Sequence, residues 1–111
     1  MTLLYLNSDK MGDGDPQLGR KLLSIFLKKL AESDTQIDLV GCVNSGVNLT
    51  TKESNVINSL KILESKGAKI ASCGTCLDHL GLRDELLIGD IGTMDDTVRI
   101  MTTADKIIRP N

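Results

Sequence analysis

Aromatic residues are nearly missing from this 111-residue chain, which has one Tyr, one Phe and no Trp. The core must therefore be aliphatic. Single-stranded nucleic acid is bound through stacked aromatic platforms, and this chain has none to offer. Positive charge is not in excess either. Thirteen basic against fifteen acidic residues leave a net charge of −2. No sequence-wide basic field draws the chain to phosphate backbones or anionic lipid.

Long apolar runs are missing too. Nothing approaches the roughly 20 residues needed to cross a bilayer. The apolar start Met1–Leu6 stops at Asn7-Ser8-Asp9-Lys10, short of a signal-peptide core and with no basic segment before it. Histidine occurs once and cysteine three times. Without an export signal, three cysteines point to the reducing cytoplasm. There, a Cys-x-x-Cys pair serves catalysis or metal binding more often than a structural disulfide. What remains is an ordinary globular composition, 41% hydrophobic and 25% charged. The length fits a single domain over residues 1–111 with one core.

Short apolar runs alternate with helical stripes. Leu3–Leu6 reads as a first strand, and its unbroken apolarity suits a strand covered on both faces. Asn7–Gly14 is its exit loop. Asp15-Pro16 caps and opens a helix, with Leu18, Leu22, Ile25, Phe26 and Leu30 as its inward stripe. Ile37–Val43 is a second strand with exit loop Asn44–Asn48. Thr50 and Glu53 form a capping box for a helix with Val56, Ile57, Leu60 and Leu63 inward, closed by Gly67. Ala68–Ser72 is a third strand. A short helix to about Leu80 follows it, with a further helical turn over Leu82–Leu87. Leu87–Ile91 reads as a short fourth strand. Thr93 caps a last helix with Met94, Val98 and Met101 on one face, and Lys106–Arg109 is a final strand. This alternation predicts an α/β fold, a parallel sheet with helices on both faces. Ligands in such folds bind beyond the C-terminal strand edge. That edge would carry Asn7–Gly14, Asn44–Leu49 and Cys73–Cys76.

Ser72-Cys73-Gly74-Thr75-Cys76-Leu77-Asp78 carries the chemistry. It sets two thiols at a strand-to-helix turn. The reactive species is the thiolate, and the unpaired N–H groups of a helix start favour it. Gly74 allows a tight turn and close approach of a partner. No cation lies between Ser72 and Leu77, and Asp78 opposes ionisation. Cys42 lies inside an apolar strand and reads as inert packing. Zinc is weakly supported, because Cys73, Cys76 and His79 lack a fourth ligand. His79 alone reads as a surface helix residue. A thioredoxin-type dithiol is a stronger rival, but its Trp and Pro surroundings are missing and the pair follows the third strand rather than the first. Gly12-Asp13-Gly14 matches neither dinucleotide nor P-loop spacing, and three nearby aspartates would repel phosphate.

Asn7-Ser8-Asp9-Lys10-Met11-Gly12-Asp13-Gly14-Asp15 with Leu18-Gly19, Asn44-Ser45-Gly46-Val47-Asn48-Leu49, Cys73-Gly74-Thr75-Cys76-Leu77-Asp78 and Gly81-Leu82 together resemble the DsrE/DsrF-like sulfurtransferase family. Within it they are most similar to the DsrE-like domain of YedF-type selenium-metabolism proteins. The resemblance covers nearly the whole chain and departs at Gly92-Thr93-Met94-Asp95. It implies a flavodoxin-like three-layer sandwich with five parallel strands in the order 2-1-3-4-5. It also implies homo-oligomers, often trimers or hexamers. No cofactor or metal is expected.

Sulfur-relay members carry a persulfide on a cysteine at the end of the third strand, and the motif sets that role on Cys73. Cys76 stands where several relatives have no cysteine, and would assist or resolve. Backbone N–H groups of Gly74 and Thr75 would stabilise the sulfur anion. Asn7, Ser8, Asn44 and Ser45 would be polar neighbours from the other strand ends. YedF-type proteins also begin with a TusA-like domain bearing Cys-Pro, which this chain lacks. The resemblance therefore implies a separate sulfur donor or acceptor protein, such as a TusA-like one. The rival reading is a non-enzymatic oligomeric binding or redox-sensing module.

Overall fold

The computed structural model describes residues 1–111. In chain order the elements are β1 (Thr2–Leu6), α1 (Pro16–Glu32), β2 (Leu39–Cys42), a 3-10 segment (Asn44–Thr50), α2 (Ile57–Ser65), β3 (Lys69–Cys73), α3 (Gly74–His79), a 3-10 turn (Arg83–Glu85), β4 (Asp90–Gly92), α4 (Met94–Thr103) and β5 (Lys106–Ile108). The helix starts follow their capping chemistry. Asp15 accepts the Leu18 N–H ahead of Pro16, and Thr93 accepts the Asp96 N–H ahead of α4. Gly67, at φ +107°, ends the α2 segment in a conformation that side chains rarely adopt. No helix is long and apolar enough to cross a membrane.

All strand pairs are parallel, and the sheet order is β4-β3-β2-β1-β5. The α/β architecture is as the alternation predicts, but the order 2-1-3-4-5 that the resemblance implies is not the one found. β3 adds to the outer edge of β2, with Val40 opposite Ile70 and Cys42 opposite Ser72. The free side of β1 goes to β5 instead, with Leu3 opposite Ile107. Each step from β1 to β4 thus joins neighbours in the sheet, and only the α4 connection spans it. Right-handed crossovers then put α1, α2 and α3 on one face and α4 alone on the other.

The core fills the three-helix side. Leu4, Leu6, Val40 and Ile70 meet Leu23, Leu27, Leu60, Leu63 and Leu77. Each buried leucine contributes roughly 1.5–3 kcal/mol through loss of apolar surface to water. The inward stripe of α1 is Gly19, Leu23, Leu27 and Ala31, with Phe26 and Leu30 partly buried. Leu18, Leu22 and Ile25, expected inward, are exposed. This helix carries two apolar stripes, and periodicity alone does not say which one the sheet takes. The Thr50–Glu53 capping box does not form. Thr50 is buried and α2 starts at Ile57 behind Val56, which offers no capping side chain.

The last helix turns its Met94 and Val98 side to the outside. Met94 and Val98 are 55% and 58% exposed. Thr97 and Ile100 line the space beneath α4 instead. The sheet below them carries Leu3, Tyr5 and Leu39 together with the small residues Gly41, Ala71 and Gly92 and the charged Lys69 and Asp90.

Candidate functional site

Cys73 is the last residue of β3 and the N-cap of α3, in extended conformation, and Gly74 is the first helical residue. The turn is tight because Gly74 is covered. A Cβ there would lie 2.9 Å from Arg83 Nη2 and 3.0 Å from Ile91 Cγ2. Arg83 is held in turn by Asp78, with Nε to Oδ1 at 2.5 Å and Nη2 to Oδ2 at 3.0 Å. This fork holds the Asp78 carboxyl below the usual carboxylate range. The Arg83 charge offsets that of Asp78, so Asp78 opposes ionisation of the thiols less than its position in sequence suggests. Arg83 was not found from sequence, because the turn that folds it back over Gly74 leaves no local motif.

The two thiols sit in different surroundings. Cys73 is 7% exposed, yet it lies outside the aliphatic core cluster. Strand alternation sets it on the face of Ala71 and Lys69, which is the α4 face. Cys76 is half-buried and packs against the core cluster. The Asn44 backbone N–H donates to its sulfur at 3.1 Å. Burial pushes the Cys76 thiol up, and the neighbouring Cys73 sulfur pushes it up further, while the Asn44 N–H pulls the other way. Cys76 therefore gives up its proton less readily than an ordinary thiol. Cys42 is fully enclosed, and burial pushes it up to about 12. All three cysteines are free thiols.

The exit loops of β1 and β2 meet beside this turn. Gly46 lets them touch, since a Cβ there would lie 2.1 Å from the Leu6 carbonyl oxygen. Ser45 Oγ accepts the Asp9 N–H at 3.3 Å, and Asn48 Nδ2 donates to Asp9 Oδ2 at 3.1 Å. Asn44 takes φ +51°, which Asn tolerates better than most residues. Asn7 and Ser8 are occupied elsewhere. The Asn7 N–H donates to Asn111 Oδ1 at 3.1 Å, and Asn111 Nδ2 donates to the Ser8 carbonyl at 2.9 Å. Ser8 Oγ accepts the Lys10 N–H at 3.0 Å. Of the four polar neighbours expected, Asn44 is the one hydrogen-bonded to a thiol. Thr75 is exposed in the first turn of α3. Asn111 had no sequence signal, because its partner Ser8 is 103 residues away. His79 is exposed on α3, and no group of three or more His, Cys, Asp or Glu is arranged to hold a metal.

Between α4 and the sheet lies a cavity of about 270 Å³, with Cys73 in its wall. Gly41, Ala71 and Gly92 form its small-residue floor, and Tyr5, Thr97 and Ile100 are among its sides. The three small residues come from three strands, so their alignment was invisible before the register was known.

The sequence model of the DsrE/DsrF-like family matches residues 9–110. Among solved structures, the chain is similar to the ychN protein from E. coli, with TM-score 0.68, 21% identity and 97% of each chain covered. It is also similar to MTH1491 from Methanobacterium thermoautotrophicum, a protein of unknown function. That match has TM-score 0.70 and 21% identity, and covers 98% of this chain and 97% of that one. Comparison with curated proteins finds no match.

Proposed function

The chain belongs to the DsrE/DsrF-like family, which is generally tied to sulfur relay, and we propose that it carries sulfane sulfur as a persulfide on Cys73. The observation that carries this reading is the placement of Cys73 at the β3–α3 turn with a second thiol, Cys76, in the short helix that the turn opens. A Cys73 thiolate attacks the outer sulfur of a donor persulfide. The donor S–S bond breaks, a new S–S bond forms on Cys73, and the donor leaves as a thiolate. No oxidant or reductant is consumed. The Cys76 S–H and the uncapped N–H groups of Gly74 and Thr75 support negative charge on the carried sulfur. An acceptor thiolate then removes the outer sulfur and frees Cys73. If Cys76 attacks the inner sulfur instead, hydrosulfide leaves and a Cys73–Cys76 disulfide remains, the resolving role.

Family members work with partner proteins, and the partner inferred for this chain is a separate donor or acceptor such as a TusA-like protein. Selenium, as the heavier congener, would occupy the same position on Cys73. The setting inferred is the cytoplasm, whose reducing poise keeps all three thiols free. The exposed stripe Leu18, Leu22 and Ile25, with Met94 and Val98, supports assembly into a homo-oligomer, a trimer or hexamer on the family pattern.

Loading the protein with a sulfane-sulfur donor and weighing it intact tests the carrier. Wild type gains one sulfur and Cys73→Ser does not. Equal gain by the variant refutes the assignment. The low exposure of Cys73 favours a second reading, an oligomeric binding or redox-sensing module. Timed alkylation separates the two, because a carrier thiol reacts faster than a free-thiol peptide and a module thiol does not.

A further inference from the structure

We propose that the cavity beneath α4 binds the small-molecule sulfur donor, a low-molecular-weight thiol persulfide with an α-amino-acid headgroup. This rests on Cys73 as the carrier. The cavity measures about 270 Å³. That lies just below the usual range for drug-sized ligands and suits an amino-acid-sized one. Its floor is open by composition. A Cβ on Gly41 would meet only Leu3 Cδ1, at 3.7 Å.

The charges around it are mixed. Lys69 and Asp90 both line the cavity, and neither forms an ion pair or side-chain hydrogen bond within the protein. The remaining pair of charged groups, Arg99 and Asp96, already bond each other at 3.0 Å. The register sets Asp90 opposite Ala71 and Lys69 two residues before Ala71 on the same strand face. Cys73 is two residues further along that face. One cation, one anion and one nucleophilic sulfur therefore border a single space. An α-amino-acid persulfide presents a carboxylate, an ammonium and an outer sulfur, and so matches all three. A bare inorganic polysulfide matches only the thiol.

In the loading step the Cys73 thiolate attacks the outer sulfur of the donor, R–S–SH. The R–S–S bond breaks and Cys73 gains the outer sulfur. The leaving R–S⁻ takes up the proton released when Cys73 ionised. The sum is R–SSH plus Cys73–SH giving R–SH plus Cys73–SSH.

The test measures Cys73 loading by intact mass with two donors, cysteine hydropersulfide and inorganic polysulfide, on wild type, Cys73→Ser and the charge-reversed pair Lys69→Glu with Asp90→Lys. The charge-reversed protein should load from cysteine hydropersulfide slower by on the order of tenfold. It should load from polysulfide at the wild-type rate, and an unchanged far-UV circular dichroism spectrum and urea midpoint show that it is folded. Equal loading of both proteins from both donors overturns the cavity proposal and leaves the carrier assignment standing. Equal sulfur gain by Cys73→Ser overturns both.

Discussion

The Asn44 backbone N–H points at Cys76 Sγ, 3.1 Å away, and so joins the exit of β2 to the helix that follows β3. The contact depends on Asn44 holding φ +51°. A β-branched residue resists that conformation at a cost of about 1–2 kcal/mol. Asn44→Val should therefore lose about that much stability in urea unfolding, whereas Asn44→Gly should lose little. The N–H supports the Cys76 thiolate, so the pH midpoint of Cys76 alkylation should move to more alkaline values in Asn44→Val alone. If the two variants titrate alike, the backbone contact does not tune the thiol.

Alkaline pH should unfold the protein through its buried thiols. Burial raises Cys42 from the ordinary value of 9.0 to about 12 and raises Cys76 as well. The folded state then holds more protons than the unfolded state between those values, so stability falls as pH rises. It is fully present below 9 and is lost progressively towards 12. The slope for one such group is at most about 1.4 kcal/mol per pH unit. Cys42→Ala should start about 1–2 kcal/mol less stable near pH 7 because it leaves a small cavity. Its urea midpoint should then fall less steeply through this range than that of wild type. Parallel slopes would assign the alkaline loss to other groups.

The alternation of strands and helices was legible because apolar runs and caps are local signals. Asp15-Pro16, Thr93 and Gly67 all act where their chemistry puts them. The thiol turn was legible for the same reason. Strand order was not, since nothing in β3 itself says whether Val40 or a residue of β1 will lie beside Ile70. The inward face of α1 was not legible either, because Leu18, Leu22 and Ile25 make an apolar stripe beside the buried one of Leu23 and Leu27. Gly41, Ala71 and Gly92 come together under α4, a juxtaposition that only the register creates. The tethers from Arg83 to Asp78 and from Asn111 to Ser8 rest on how turns and the chain end fold back.

Two glycines beside the site should respond very differently to alanine. At Gly46 the new Cβ would lie 2.1 Å from the Leu6 carbonyl oxygen, a backbone atom that cannot step aside. Gly46→Ala should cost about 3 kcal/mol or more and separate the exits of β1 and β2. At Gly74 the nearest atom is the tip of Arg83, a flexible side chain, at 2.9 Å. Gly74→Ala should cost about 1 kcal/mol and displace Arg83 from Asp78, letting the Asp78 carboxyl rise towards its ordinary value. Urea midpoints and an NMR titration of Asp78 check both. A Gly74→Ala protein as unstable as Gly46→Ala would mean that the packing over the turn is rigid.

The hydroxyls of Thr50 and Ser72 lie 2.6 Å apart, both fully buried, one residue before Cys73. Thr50 Oγ1 also donates to the Val47 carbonyl at 3.1 Å. A hydroxyl has a single proton, so Thr50 must accept from Ser72. The two truncations are then unequal. Ser72→Ala leaves Thr50 its donation to Val47 and should cost about 1 kcal/mol or less. Thr50→Val strands the Ser72 proton in an apolar site and should cost about 1–3 kcal/mol. The double variant should be less destabilised than the sum of the two, because the stranded group is gone. Urea unfolding of the four proteins measures the cycle. Equal single costs that add would mean that Ser72 finds another acceptor, and that the strand end holding Cys73 is not pinned by this bond.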